Sequence, residues 1–325
     1  MAAFCLFDLF TNAVYTLCMR SGGAVYGRQT RSCGTNAREG MTVMKTGLIL
    51  EGGAMRGMFT AGVMDVMMEN GIRFDGIIGV SAGAAFGCNY KSGQIGRALR
   101  YNTRFCRDKR YCSVRSLLQS GDIFNTEFCY GEVPLKYDVF DFDAFERDPA
   151  EFYVVCTDVD TGRPVYHKYT GRSDHGFDWI RASASMPLVS NIVEIDGERL
   201  LDGGIADSIP VKYFEGIGYD RNIVVLTRPK DYRKGENRVM PLIRHKYKRY
   251  PALVRAIERR HIVYNETLDY IWKKEAAGEL FVLCPDEPLP VGRIEKDPDK
   301  LCTAYGIGRE AASAKLSAIT DFLGK

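Results

Sequence analysis

Histidine is scarce in this chain, four residues in 325, and tryptophan scarcer, with two. The ten cysteines stand singly, never as CxxC, and no Cys/His cluster has metal-ligand spacing, so no metal site is expected. Charge of one sign is lacking too: 44 Lys and Arg against 41 Asp and Glu leave a net +3, and the basic residues are spread along the length. That balance gives no argument for a nucleic-acid partner. A P-loop is absent, since no GxxxxGK[ST] occurs. The dinucleotide fingerprint fails as well: placed on Gly52 it requires glycine where Ala54 stands, and Asp75 opens the second strand instead of closing it. There is no internal repeat, and no low-complexity linker after Gly40.

The opening segment, MAAFCLFDLFTNAVYTLCMR, lacks a basic n-region, and Asp8, Thr11 and Asn12 interrupt it before membrane-spanning length. Residues 1–43 are expected to be a poorly ordered extension or an upstream start, with the compact region beginning near MKTGLILEGG. Cys156 and Cys284 lie in apolar runs, where a thiol behaves as a small buried hydrophobe, so a reducing, cytoplasmic setting is expected.

What is present is a hydrophobic fraction of 46%, enough for the core of one large α/β domain. From Thr46, short apolar runs alternate with amphipathic stretches, the pattern of βαβ units on a largely parallel sheet. TGLIL, FDGIIGV, EFYVVCTDV, RPVYHKY, RNIVVLTR and LFVLCP read as strands, NIVEIDGERLLDGG as a hairpin, and FDWIRASASMP as a short helix stopped by Pro187. Residues 97–150 read as irregular helices and loops covering one side. Residues 233–274 read as basic and mostly helical, and the chain ends in a helical pair. The expected core includes Leu48, Ile49, Leu50, Ile77, Ile78, Val154, Val155, Val224, Val225 and Leu226.

Three loops carry chemistry. In the first, Gly52, Gly53, Ala54, Met55, Arg56 and Gly57 form a strand-to-helix turn whose small residues leave amide N–H groups uncovered, suited to an anion or a developing oxyanion. In the second, Gly79, Ser81 and Gly83 make GxSxG between a strand and a helix, the pattern of a nucleophile elbow; a small-residue turn with a serine cap has the same spelling. In the third, a hydrophobic strand end delivers Asp202 and then Gly203 and Gly204, which alone is equally a plain turn. Together they supply oxyanion donors, nucleophile and base, the set that acyl transfer needs.

In that order, GGAMRG, GVSAG and DGG resemble the motifs of the patatin-like phospholipases, and RASASMPLVS resembles the stretch that precedes the third. The similarity covers roughly residues 46–230 and departs from the pattern at Ala54, where many members have glycine. It implies a three-layer α/β/α patatin-like fold with a mostly parallel sheet, residues 44–230 as catalytic domain and 231–325 as a helical C-terminal region packed on it. It also implies a Ser81–Asp202 dyad with the amides of Gly52, Gly53 and Ala54 as oxyanion hole, phospholipid, lysophospholipid or acylglycerol substrates, and neither metal nor cofactor. Arg56 either adds charge near the site or pairs with a carboxylate under the sheet.

The rival is a Ser–Asp–His triad, for which only His245 and His261 follow Asp202; both lie in basic helical text without a glycine-flanked loop. Other acyl hydrolases, such as a thioesterase or general carboxylesterase, and a non-catalytic lipid-binding protein share the same loops. The segment 228–260 either presents a basic face to an anionic membrane surface or packs on the core with a solvated outer side.

Overall fold

The computed structural model describes residues 44–324; the expected N-terminal extension, residues 1–43, lies outside the described residues. The chain opens with β1 (Lys45–Leu50), α1 (Gly57–Glu69), β2 (Gly76–Val80) and α2 (Ala82–Lys91). Next come α3 (Arg97–Phe105), α4 (Val114–Ser120), an 11-residue π-helix (Glu127–Tyr137) and α5 (Phe142–Arg147). Then follow β3 (Glu151–Asp158), β4 (Pro164–Lys168), α6 (Asp178–Ser183), β5 (Val193–Ile195), β6 (Glu198–Asp202), α7 (Val211–Gly216) and β7 (Tyr219–Val225). α8 (Met240–Lys246), α9 (Pro251–Ala276), β8 (Leu280–Leu283), α10 (Pro298–Ala314) and α11 (Leu316–Leu323) complete it.

The strands form one sheet in the order β5-β6-β3-β2-β1-β7-β8, with β4 also paired to β3. β3, β2, β1, β7 and β8 run parallel, while β4 and β6 join β3 antiparallel and β5 pairs antiparallel with β6. A parallel sheet is covered on both faces, which is why its strands read as near-continuous apolar runs. Alternation sorts them. Leu48, Leu50, Ile77, Val154 and Val225 pack with residues of α1, α2, α3, α6 and α10. Ile49, Ile78, Val155 and Val224 pack with residues of α7 and α9 on the other face. Every expected core residue is at most 2% exposed, and each such aliphatic side chain contributes roughly 1.5–3 kcal/mol by leaving water.

Two details differ from the sequence expectation. α6 ends at Ser183, short of Pro187, because the chain there turns to let Ser185 O accept from Asp202 N at 2.9 Å, prolonging the hydrogen bonding of β6. Residues 231–325 also do more than add helices, since β8 extends the sheet beside β7 and α10 lies on α1. That helix pair is in backbone contact: a Cβ on Gly62 would sit 2.1 Å from Tyr305 O, and one on Gly308 2.0 Å from Phe59 O.

Candidate active site

The three loops converge at the C-terminal ends of β1, β2 and β6. Ser81 caps α2 with φ +55° and ψ −119°, a conformation disfavoured for a residue with a Cβ. Its flanking glycines are required by close approach. A Cβ on Gly79 would meet Ala84 N at 2.5 Å, and one on Gly83 would meet Leu50 O at 2.3 Å. Ser81 N donates to Ser183 Oγ at 2.8 Å, and that hydroxyl donates to Val155 O at 2.6 Å. The turn is thereby tied to β3.

Ser81 Oγ donates to Asp202 Oδ2 at 2.9 Å. The other carboxylate oxygen, Oδ1, accepts from Gly204 N at 2.7 Å, while Thr157 Oγ1 donates to the Asp202 carbonyl at 2.9 Å. Gly203 lies so close to β3 that a Cβ would be 2.0 Å from Val155 O. Burial pushes the Asp202 carboxyl above its ordinary value, opposed by the charge of Arg260, the Gly204 amide, the Ser81 hydroxyl and Arg293. Burial wins, and Asp202 is a stronger base than a carboxylate in water.

The first loop runs against this pair. A Cβ on Gly52 would be 2.9 Å from Val80 O and 3.1 Å from Ser81 Cβ, and one on Gly53 would strike Thr227 Oγ1 at 2.7 Å. The amides of Gly52 and Gly53 have no hydrogen-bond partner among the described residues. Ala54 takes φ +49°, the left-handed region that glycine would enter without strain. Gly57 opens α1 with its Cα against the Phe86 ring. Glu51 braces the loop from below: Oε2 accepts from Thr227 N at 2.6 Å and Thr227 Oγ1 at 3.0 Å, and Oε1 accepts from Tyr264 Oη at 2.6 Å.

Arg56 is in no ion pair among the described residues, and its buried Nε lacks a partner. Burial and the neighbouring Arg228 lower its pKa, which Glu51 partly offsets.

Ser81 also lines an apolar cavity of about 110 Å³, with Met55, Phe86, Phe124, Val133 and Ile180 among its walls. Val133 belongs to the π-helix, a rare geometry that concentrates at functional sites.

No histidine is hydrogen-bonded to Ser81 or Asp202. His167 pairs with Asp174 and stacks on Trp179 at 3.7 Å, His175 pairs with Asp196, His261 Nδ1 lies 2.9 Å from Glu258 O, and His245 is exposed on α8. Among the described residues no group of three His, Cys, Asp or Glu is placed to hold a metal, and no helix is long and apolar enough to cross a membrane.

The sequence did not single out Ser183, Glu51, Tyr264 or Arg260. Ser183 lies in the RASASMPLVS stretch, a signal that was available. Arg260 and Tyr264 reach the site from α9, whose basic text gives no local hint.

The model of the patatin-like phospholipase family matches residues 48–215, just over half of the chain, and a domain of unknown function, DUF6363, matches residues 250–324. Uncharacterized protein YjjU of Escherichia coli K12 is 28% identical over 300 residues, 85% of this chain and 78% of that protein. Lysophospholipase nte1 of Aspergillus terreus is 32% identical over 187 residues, 54% of this chain but only 11% of that protein. Uncharacterized NTE family protein Mb1092c of Mycobacterium bovis is 28% identical over 186 residues, 57% of this chain and 50% of that protein. The chain thus belongs to the patatin-like phospholipase family and is a hydrolase acting on the ester bonds of lipids.

Proposed function

We propose that the chain cleaves carboxylic ester bonds of phospholipids or other acyl lipids through a Ser81–Asp202 dyad and an acyl-enzyme intermediate. The observation that carries this is the 2.9 Å hydrogen bond from Ser81 Oγ to a buried carboxylate whose pKa is raised. Ser81 Oγ attacks the carbonyl carbon as Asp202 takes its proton. The carbonyl oxygen becomes negative beside the amides of Gly52, Gly53 and Ala54. Each such donor is worth on the order of 3 kcal/mol in acyl-transfer sites. Collapse breaks the ester C–O bond, and Asp202 returns the proton to the leaving alkoxide. Water, deprotonated by Asp202, then attacks the acyl-serine and releases the carboxylic acid and the restored hydroxyl. Arg56, Gly57, Gly79, Gly83, Gly203 and Gly204 hold these groups in place, and the apolar cavity takes the acyl chain.

Fluorophosphonate labelling followed by peptide mass spectrometry tests the dyad. An adduct on Ser81 is expected, abolished by Ser81→Ala, weakened by Asp202→Asn and unaffected by the double change His245→Ala and His261→Ala. Dependence on either histidine would return the protein to the triad class. Peripheral contact of a cytoplasmic protein with anionic membrane is part of the proposal. It is supported by exposed Val239 and Leu242 beside the exposed Arg244, Lys246 and Lys248. Sedimentation with vesicles with and without anionic lipid measures it, and equal pelleting in the two would exclude it.

A further inference from the structure

Five cations crowd the side of the site that the apolar cavity does not reach. Arg56 follows β1, Arg228 and Lys234 follow β7, Arg260 lies on α9 and Arg293 follows β8. None of them lines the apolar cavity, and none forms an ion pair with a described residue.

Contacts place them around one spot. Arg260 Nη2 lies 2.9 Å from where a Cβ of Gly204 would stand, in the loop that carries Asp202. Lys234 Nζ lies over the Tyr264 ring at 4.1 Å, and the Tyr264 hydroxyl reaches Glu51. Tyr232 packs edge-on to Tyr264 and holds the Arg228 guanidinium over its own ring at 4.7 Å. Arg293 O is 3.5 Å from Met55 N, which brings that loop against the residue next to Arg56.

Among the described residues, Glu51 acts on Arg56 and Lys234, and Asp202 feels Arg260 and Arg293. Glu51 already accepts three hydrogen bonds, and Asp202 accepts from Ser81 and Gly204. The Nε atoms of Arg56 and Arg260 are buried and without a partner. Burial together with the charges of Arg260, Arg56 and Arg293 brings the Lys234 ammonium down to about 7, against the pull of Glu51. Partly buried cations that lack counter-charge are costly. A ligand that brings the missing negative charge removes that cost.

We infer that Arg56, Arg228, Lys234, Arg260 and Arg293 form an anion subsite that takes a phosphate monoester, so that the favoured substrate is an acyl ester whose alcohol part ends in an unsubstituted phosphate. The inference rests on the hydrolase function proposed above. Four guanidiniums and a Lys234 ammonium charged about half the time at pH 7, set against Glu51 and Asp202, leave an excess that a single carboxylate does not balance. A phosphate monoester carries about −1.5 to −2 at pH 7 and offers three acceptor oxygens, matched to guanidinium forks. With an apolar cavity and a cationic wall both beside Ser81, the site fits an anionic amphiphile.

The test compares 1-acylglycerol 3-phosphate with its choline phosphodiester and with the 1-acylglycerol of the same chain. The phosphate monoester is expected to have a kcat/KM higher than either by about tenfold or more, with the difference mainly in KM. Lys234→Met and Arg228→Gln should each lower that ratio about threefold to tenfold, Arg228→Lys should restore part of it, and thermal melts check that the variants fold. A ratio near one against either in the wild type, or one that the variants leave unchanged, overturns the substrate assignment.

A second arm needs no turnover: glycerol 3-phosphate, inorganic phosphate and glycerol are titrated onto the Ser81→Ala protein, following its melting temperature. A rise with both phosphates and none with glycerol supports the subsite even if no ester is hydrolysed, a result that would sink the proposed Ser81–Asp202 cleavage alone. A rise with phosphates but no preference among the esters assigns the subsite to free phosphate. No rise with either phosphate overturns the subsite.

Discussion

The hydroxyl of Tyr264 on α9 donates to Glu51 Oε1 at 2.6 Å, joining residues 213 positions apart and fastening the C-terminal region to the base of the glycine loop. Glu51 is buried, so losing this donor leaves a carboxylate oxygen unsatisfied, at about 1–3 kcal/mol. Tyr264→Phe is therefore expected to lower the melting temperature by several degrees and to lower kcat as the loop beside Ser81 loosens. Calorimetry and a soluble-ester assay measure both. Unchanged values would mean that Thr227 alone holds Glu51.

The pH profile should carry the signature of Asp202. As the proposed base it works ionised, and its pKa is raised by burial, so kcat/KM should fall on the acid side at a pH above the ordinary carboxylate value of about 4. Arg260 favours the ionised form, so Arg260→Met should move that limb to still higher pH. A limb that stays put would remove Arg260 from the electrostatics of the base.

The same shift has a consequence for stability with the opposite sign to its use in catalysis. A carboxyl whose pKa is raised by folding holds its proton more tightly in the native state, so stability is fully present below the unfolded value and is lost as pH rises through the native one. Asp202→Asn should therefore melt higher than wild type at neutral pH, and the difference should shrink toward pH 4. Melting curves across pH in both proteins decide it.

Much of the site was legible in the sequence because its determinants are local. A strand followed by GxSxG needs small residues where α2 rises over β1, and Gly83 stands there against Leu50 O. The apolar runs of β1, β2, β3 and β7 announce strands covered on both faces, and Leu48 and Val155 are wholly buried. Arg260 and Lys234 were not legible in this way, and Ser183 only through the RASASMPLVS stretch. They arrive from elements distant in the chain, through tertiary packing that no period or spacing encodes.

Ser183 makes that point testable. Ser183→Ala leaves the Ser81 amide and Val155 O without their shared hydroxyl, a cost of about 1–3 kcal/mol in a buried site. Fluorophosphonate labelling of Ser81 should slow while global fold is retained by circular dichroism. Labelling at the wild-type rate would show that the turn holds without it.

Ala54 offers the reverse case. Its φ of +49° burdens the loop, and Ala54→Gly should raise stability by about 1 kcal/mol, net of the greater chain entropy of glycine. Chemical denaturation measures the gain; a loss would mean that the methyl group packs against something worth more than the strain.

The crossing of α1 and α10 has a meaning beyond packing. Gly62 and Gly308 each stand where the other helix's backbone leaves no room for a methyl group. A change at either position would have to be accompanied by a shift of the whole opposing helix, so single-step drift there is blocked. The two glycines act as a keystone: a methyl group at either would have to push α1 and α10 apart, whereas the loops around Ser81 can change without moving this crossing.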